Sequence, residues 1–359
     1  MQGNRLLAVA FALVASGCYG GRASLHDDAG EDTESGGTAD DAGADAGTGE
    51  PAACASTESP GAPVPMRRLT AAQVRRSAQD ILGVTTAVGV ADEELSTFTS
   101  NVSSAVDFVG ARGYLDFAEA TVLATDLSQC TEPTEACRAW LFDDVGRRLF
   151  RRALTPGERA GYEDLFAAGS AEEAGAVEGA RWVLEAMLQS PSFLYMDEVA
   201  RPDGYLDDHS IASRLALTLW GSNPDAELLD RAAAGELSTA EQVRDEAARL
   251  LEDPRSLGGL TDFVDQWLRL DRLDDPDARP DLEALGSETL AAMRAEPVQL
   301  LSLLIGQQGD VTALFTSTET STSPLVAALY GDDIVEAGAT TTLDPTRRAG
   351  ILSLPGLFV

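Results

Sequence analysis

The chain contains no lysine and only two histidines among its 359 residues. Without lysine it can form neither a Schiff base nor the phosphate contact of a P-loop. His26 lies in a polar segment, so His209 is the single imidazole in the part expected to fold. Zinc and iron sites built on two or three histidines are therefore excluded, as is c-type haem, since no C-x-x-C-H occurs. The sequence singles out no metal ligand, cofactor site or catalytic residue.

Positive charge is also scarce. The chain has 59 acidic residues and 26 basic ones, all of them arginine, and its formal net charge is −33. Such a chain repels phosphate backbones, so we expect no nucleic-acid partner. A hydrophobic fraction of 44% nevertheless provides enough apolar side chains for a folded core.

Long apolar runs are missing, apart from about ten residues near the N-terminus. Arg5 precedes this run, and small residues then lead to Cys18. A run of this length is too short to span a bilayer but suits a signal peptide. Residues 15–18, A-S-G-C, resemble a bacterial lipobox, although alanine stands where leucine is commoner. We expect residues 1–17 to be a signal peptide and Cys18 to be lipidated, which would anchor the protein to a membrane of the cell envelope. The alternative is a plain secretory signal.

Residues 18–64 have almost no large apolar side chain. Residues 19–64 carry ten acidic residues and one arginine. A segment of this composition cannot bury enough surface to fold, so an acidic, disordered linker is predicted. The alternative interpretation is a segment that binds metal ions or proteins through its acidic residues.

Cysteine is limited to four residues. Cys130 and Cys137 flank a turn in "LSQCTEPTEACRAW", and in an exported protein we expect them to form a local disulfide. A redox or metal pair would need closer spacing or a nearby histidine. Cys54 has no expected partner.

Strand patterns are nearly absent beyond residue 65, and "GATTTL" is the best of a weak set. Apolar residues recur at helical spacing, so the predicted fold is all-α, with possible helical subdomains over residues 65–200 and 201–359. Pro297 predicts a kink or break near Glu296. The apolar ending "RRAGILSLPGLFV" suggests that the second subdomain is incomplete. Capping patterns predict helix starts at Thr70 with Gln73, Thr155 with Glu158, Ser238 with Glu241, Asp208, and the Asn223-Pro224 and Asp253-Pro254 pairs.

One segment is rich in arginine, "GRRLFRRALTPGER", residues 146–159. At helical spacing, Arg147, Arg148, Arg151 and Arg152 fall on one arc, with apolar residues mostly opposite. This arrangement favours a structural role, in which the arginines pair with the surplus carboxylates. An anion or sulfated-glycan site is the alternative, because the guanidinium fork suits such groups.

Other chemistry-bearing residues have mainly structural interpretations. His209 follows Asp207 and Asp208 and precedes Ser210, but a catalytic triad assembles in space rather than from consecutive residues. We expect His209 to be exposed in the first turn of a helix. Each of the four tryptophans lies in an apolar helical pattern, which favours core packing over a sugar-stacking platform. The acid pairs Asp274-Asp275 and Asp332-Asp333 could serve glycoside hydrolysis, but their separations in space are not fixed by the sequence.

Several stretches together resemble a known group of proteins. "MRRLTAAQVRRSAQDILGV", "GRRLFRRALTPGERAGYEDLF", "MLQSPSFLYMDE", "DDHSIASRLALTLWGSNPDAELLDRAAAGEL" and "RRAGILSLPGLFV" occur in this order. They resemble a cassette of linked domains of unknown function, the "fifteen-ninety-two" group and its neighbours, in exported bacterial proteins. The resemblance covers about residues 66–359. It implies a helical, exported protein, often joined to or encoded near cytochrome c-like or sulfatase-like proteins, with no assigned activity.

The chain departs from that group in two respects. It has no haem-binding segment, and it stops where the group continues into a further domain. We therefore expect a lipid-anchored cell-envelope protein that acts as a binding or scaffold module. An enzyme or enzyme subunit acting on polysaccharide, or an accessory to an electron-transfer partner, are the alternatives. An envelope protein or a polysaccharide is the expected partner.

Overall fold

The computed structural model describes residues 66–102, 106–173, 175–201, 204–274, 285–307, 309–321, 323–336 and 340–357. The signal peptide, Cys18, the acidic linker and Cys54 are predictions that lie outside these residues, as is Asp275. The described part is mostly helical, which confirms the predicted fold class.

Helices follow one another along nearly the whole described chain. They are α1 Ala71–Leu82, α2 Phe108–Ala124, α3 Glu135–Arg138, α4 Arg147–Phe150, α5 Pro156–Ser170, α6 Ala176–Leu188, α7 Pro191–Leu194, α8 Asp208–Leu219, α9 Ala226–Ala233, α10 Ala240–Glu252, α11 Ser256–Leu268, α12 Ser287–Gly306, α13 Ala313–Thr316 and α14 Pro324–Tyr330. A π-helical stretch, Ala139–Gly146, joins α3 to α4. Short 3₁₀ turns cover Ser128–Cys130, Leu270–Asp274, Gly331–Asp333, Ile351–Ser353 and Pro355–Leu357.

The strands are two or three residues long and pair antiparallel. β1 Arg67–Arg68 pairs with β4 Tyr195–Met196, and β2 Glu94–Leu95 pairs with β3 Phe98–Thr99. β5 Glu319–Thr320, β6 Ile334–Glu336 and β7 Thr341–Leu343 form a sheet in the order β5-β7-β6. β7 lies in the "GATTTL" stretch that carries the best strand pattern of the sequence.

Capping boxes begin α1 and α5 as predicted. The hydroxyl oxygens of Thr70 and Thr155 accept hydrogen bonds from the backbone N–H of Gln73 and Glu158, whose side chains accept in return. Both boxes use contacts three residues apart, and for that reason the sequence alone reveals them.

The prediction that Ser238 and Asp208 begin helices is wrong by one residue in each case. Thr239 caps α10 in a box with Gln242, and Asp207 caps α8 by accepting from the N–H of Ser210 at 2.7 Å. Asp208 is buried instead, where it accepts from the N–H of Leu237 and from the hydroxyl of Ser238. A contact across about thirty residues therefore engages the side chains of both predicted caps.

The two predicted cap-proline starts are also displaced. Asp225, not Asn223, caps α9 by accepting from the N–H of Leu228 at 2.9 Å. The α11 helix begins at Ser256, and the carboxylate of Asp253 accepts from the N–H of Arg255 in the preceding turn. In both segments the proline lies in the turn before the helix, where its missing N–H costs nothing.

Pro297 does not break its helix, so the prediction of a break near Glu296 is wrong. The α12 helix continues through it from Ser287 to Gly306. Glu296, Pro297 and Val298 are buried on this helix, and Val298 packs in an apolar cluster. Tertiary packing therefore offsets the loss of one backbone hydrogen bond.

Buried apolar side chains form three clusters within the described residues. Cluster 1 draws almost entirely on residues 69–196, with Leu217 added from α8. Cluster 2 draws on residues 264–354 and cluster 3 on residues 212–250. The part after residue 200 thus contains two apolar clusters, and Leu217 of α8 belongs to the core of the part before it.

None of the described helices is both long enough and apolar enough to cross a membrane.

Candidate functional site

The arginine segment, residues 146–159, lies in the first part of the chain and contacts the second through Arg147 with Asp230 and Arg151 with Asn223. Its apolar residues Leu149 and Phe150 are buried as expected, as are Leu141, Phe142 and Val145 just before it. The segment does not form one regular helix, because α4 ends at Phe150 and Arg151 takes a left-handed conformation, with φ of 59°. This reversal directs Arg151 away from the arc on which helical spacing places it.

Arg151 is buried, with 4% of its surface exposed. Its guanidinium donates to the carbonyls of Ser192 at 2.8 Å, Phe193 at 3.1 Å and Tyr195 at 2.6 Å, and to the Oδ1 of Asn223 at 3.1 Å. Burial lowers the pKa of Arg151 to about 10, and the neighbouring charge of Arg152 acts in the same direction. The side chain still carries its charge at neutral pH, compensated by backbone dipoles.

The other three arginines also have partners within the chain. Arg147 donates to the carboxylate of Asp230 at 2.7 Å, and Arg148 donates to the carbonyl of Asp80 at 2.7 Å. Arg152 donates to both carboxylate oxygens of Glu158, at 2.8 and 2.9 Å. An anion bound to these arginines, which is the alternative prediction, would therefore have to compete with their carboxylate and carbonyl partners.

Glu158 has two roles at this place. It closes the capping box of α5 and accepts the bidentate contact from Arg152. The hydrogen bonds from Arg152, followed by those from Thr155, hold the pKa of Glu158 at about 2 against the opposing effect of burial.

Asn223, which the sequence predicts as a helix cap, is instead a partner of Arg151, and this role was not predicted. It is 2% exposed, and its Nδ2 donates to the carbonyls of Arg148 and Leu149, each at 3.0 Å. It thus caps the end of α4 while accepting from Arg151. The sequence signal was its place in "WGSNPD", which equally suits a helix cap, and only the fold shows which partner the side chain takes.

A cavity of about 140 Å³, here called the junction pocket, lies beside Arg151 and Arg152. Its lining residues are Met66, Phe150, Arg151, Arg152, Pro191, Ser192, Asp197, Val199, Asp207, His209, Ser210 and Ser213. The pocket therefore brings together two of the four predicted arginines and the single histidine of the body.

His209 lies in the first turn of α8 as predicted, but it is half-buried rather than exposed because it lines the junction pocket. Its neighbours do not form a triad with it. The Ser210 Oγ accepts from the N–H of Val199, and the Ser213 Oγ donates to the backbone carbonyl of His209. The imidazole itself makes no hydrogen bond to any described residue.

The four tryptophans are buried or half-buried. Trp220 is 1% exposed, its indole N–H donates to the carbonyl of Leu250, and the guanidinium of Arg255 lies 3.5 Å from its ring centre. Trp267 stacks on Phe263, with ring centres 5.6 Å apart. Trp220 therefore packs in the core, and Trp267 stacks within a row of aromatic side chains.

A second cavity, of about 510 Å³, is lined in part by Asp333, Arg347 and Arg348. Of the predicted acid pair, Asp332 is exposed and Asp333 is buried. Asp333 pairs with Arg347 and accepts from the Nε of Arg348 at 2.8 Å. These charges neutralise one another in the wall of the cavity.

Cys130 and Cys137 are fully buried and joined by a disulfide, with Cα atoms 4.8 Å apart. Among the residues that the structure describes, no group of three or more His, Cys, Asp or Glu side chains could hold a metal ion.

These contacts define a class: a helical protein in which two successive helical parts meet at a polar junction around Arg151 and Asn223. Residues 137–198 match the family model PSD5, a protein of unknown function (DUF1595), and residues 206–331 match PSD4, a protein of unknown function (DUF1592). The chain therefore belongs to the proteins that carry these two domains of unknown function in tandem, which confirms the resemblance in the sequence. No curated protein and no solved structure matches the chain.

Proposed function

We propose that this protein is a cell-envelope lipoprotein whose helical body is a binding module, with the junction pocket as its binding site. The observation that carries the binding role is the composition of that pocket. Arg152, Ser192 and Asp197 come from the first domain, and Asp207 and His209 come from the second. Binding pockets occur preferentially at such domain interfaces.

Two polar side chains of the pocket support this role because neither makes a hydrogen bond to a described residue. The exposed carboxylate of Asp197 and the half-buried imidazole of His209 make no hydrogen bonds to described residues, and Asp197 acts on Arg151 and Arg152 only electrostatically. Both guanidiniums have hydrogen-bond partners within the chain. Side chains that stabilise the fold through polar contacts normally have partners within the chain. Asp197 and His209 are thus available for a ligand.

The lipoprotein role is supported by the N-terminal sequence. An apolar run followed by A-S-G-C provides the signal and the acceptor cysteine, and the acidic linker of residues 19–64 would separate the body from the membrane surface. Lipid anchoring would place the junction pocket within reach of envelope material.

Membrane fractionation and mass spectrometry of the mature N-terminus test the anchor. The unmodified protein should occur in the membrane fraction with acyl chains on Cys18. Cys18→Ala should move to the soluble fraction, while Cys54→Ala, the matched control, should stay with the membrane. Membrane association that persists without Cys18, or a mature N-terminus without lipid, would contradict the proposal.

A further inference from the structure

The charges around the junction pocket indicate what kind of ligand it takes. The pocket is lined by two guanidiniums, of Arg151 and Arg152, and two carboxylates, of Asp197 and Asp207, and Arg152 is also paired with Glu158. Arg151 donates to four oxygen atoms within 3.1 Å, and Arg152 is paired in bidentate fashion with Glu158. The charge of Arg152 is therefore paired with Glu158, and that of Arg151 is compensated by neutral oxygens. The exposed carboxylate of Asp197 attracts both guanidiniums electrostatically but makes no hydrogen bond to a described residue.

This charge distribution disfavours charged ligands of either sign. An anion would lie beside Asp197 and Asp207 and would have to displace Glu158 from Arg152. A small cation would lie near two guanidiniums, one of which already occupies a face of Phe150, 6.0 Å from the ring centre. A neutral ligand avoids both penalties.

The free groups of the wall suit hydroxyls in particular. A carboxylate accepts short, strong hydrogen bonds from O–H donors, and an imidazole both donates and accepts. Hydroxyl groups satisfy both because each one donates and accepts. The remaining wall, formed by Met66, Phe150, Pro191 and Val199, provides apolar surface. A carbohydrate ring presents hydroxyls at its edge and C–H bonds on its faces, which matches the two kinds of wall.

The size of the pocket limits the ligand to one ring. Its volume of about 140 Å³ is close to the ~150 Å³ of an engineered cavity that holds benzene. We propose that the junction pocket binds a single ring of a neutral carbohydrate, with the rest of a glycan outside. This inference rests on the proposed binding function and gives it a ligand class.

Ligand-observed NMR on the full-length protein, in a detergent without a sugar headgroup, tests the inference. The probes are glucose, galactose and N-acetylglucosamine, with sulfate and inorganic phosphate as the anionic arm. At least one sugar should bind, with a dissociation constant on the order of 1 mM because a single ring offers few contacts. Sulfate and phosphate should bind at least tenfold more weakly.

Variants of the two free groups make the test specific. Asp197→Ala and His209→Ala should each weaken sugar binding at least tenfold, and Asp197→Asn, which keeps an acceptor oxygen, should weaken it less. Neither side chain makes a hydrogen bond to a described residue, so the variants should unfold like the unmodified protein. Asp164→Ala removes an exposed carboxylate of α5 outside the pocket lining and should leave binding unchanged.

Three outcomes would overturn the inference. They are the absence of binding by all three sugars, sugar binding that the pocket variants do not alter, and preferential binding of sulfate or phosphate that becomes stronger in Asp197→Ala. The last outcome would establish the anion site instead. These measurements are independent of the Cys18 experiment, so failure of the carbohydrate inference and failure of the lipid anchor can be told apart.

Discussion

Two adjacent arginines, Arg151 and Arg152, have opposite environments in this protein. Arg151 is buried and donates mainly to backbone carbonyls, whereas the side chain of Arg152 is 38% exposed and pairs with Glu158. Helical spacing places them together, but the left-handed conformation at Arg151 separates them. The sequence therefore identifies the arginine segment correctly, but it does not show which of the two arginines is buried.

Lysine substitutions should show this difference. Arg151→Lys removes the planar fork that reaches several acceptors and leaves buried carbonyls unsatisfied, so it should cost about 3 kcal/mol or more of unfolding free energy. Arg152→Lys, at a partly exposed salt bridge, should cost less than about 1 kcal/mol. Urea denaturation of both variants measures the effect. Equal losses in the two variants would contradict the structural role assigned to Arg151.

Glu158 should make stability depend on pH. Its pKa of about 2 in the folded protein lies below the ordinary value of 4.5. The stabilisation is therefore fully present above pH 4.5 and is lost as the pH falls from 4.5 towards 2. Glu158→Gln should lower the unfolding free energy by about 1–2 kcal/mol at pH 7, and the difference from the unmodified protein should shrink at pH 3.

Urea denaturation at the two pH values checks this expectation. Glu163→Gln is the matched control, because it removes a carboxylate of the same helix that pairs with Arg159 at 3.3 Å. It should change stability by less than about 0.5 kcal/mol at pH 7. A Glu158→Gln effect of the same size at pH 7 and pH 3 would show that the carboxylate charge is not what stabilises this end of α5.

At the level of elements, α8 and α11 approach each other closely at Gly259. A Cβ atom added there would overlap the carbonyl of Leu219 and lie 3.0 Å from the carbonyl oxygen of Thr218. Both obstacles are backbone atoms, so one helix would have to move. This contact holds α11 against the end of α8, beside the buried Trp220.

Alanine at two helical glycines should therefore have opposite effects. Gly259→Ala should destabilise the protein by about 1–3 kcal/mol through overpacking. Gly161→Ala, in α5 with no atom within 4 Å of the added Cβ, should stabilise it by about 0.5–1 kcal/mol through better helix propensity. Thermal unfolding compares the two. A neutral Gly259→Ala would show that the α8–α11 contact is easily adjusted.

For the whole molecule, the matched domain 137–198 is smaller than the apolar core to which it belongs. Cluster 1 includes Leu69, Val74, Tyr114 and Phe117, which precede this domain, and Leu217, which follows it. Arg151 and Asn223 add a polar connection across the same boundary. The ends of the matched domain in the sequence are therefore not the ends of the apolar core to which it contributes.

A fragment of residues 137–198 should accordingly fail to fold by itself. It would expose the apolar surface that cluster 1 buries and lose the capping contacts of Asn223. Circular dichroism and the dispersion of amide NMR signals provide the measurement, with a fragment of residues 66–357, which contains all three clusters, as the folded control. Well-dispersed signals from the short fragment would contradict the shared core.

The sequence by itself determined the helical class, two capping boxes, the buried face of the arginine segment and the pair of domains. These features depend on residues three to seven positions apart or on the order of motifs along the chain. Tertiary structure alone decided that Asn223 rather than a carboxylate accepts from Arg151, and that Asp208 leaves the cap position. It also decided that Asp197 and His209 line a cavity without a side-chain hydrogen bond to any described residue. The physical reason is distance along the chain: these outcomes depend on contacts between residues about 10 to 70 positions apart, and local spacing carries no information about them.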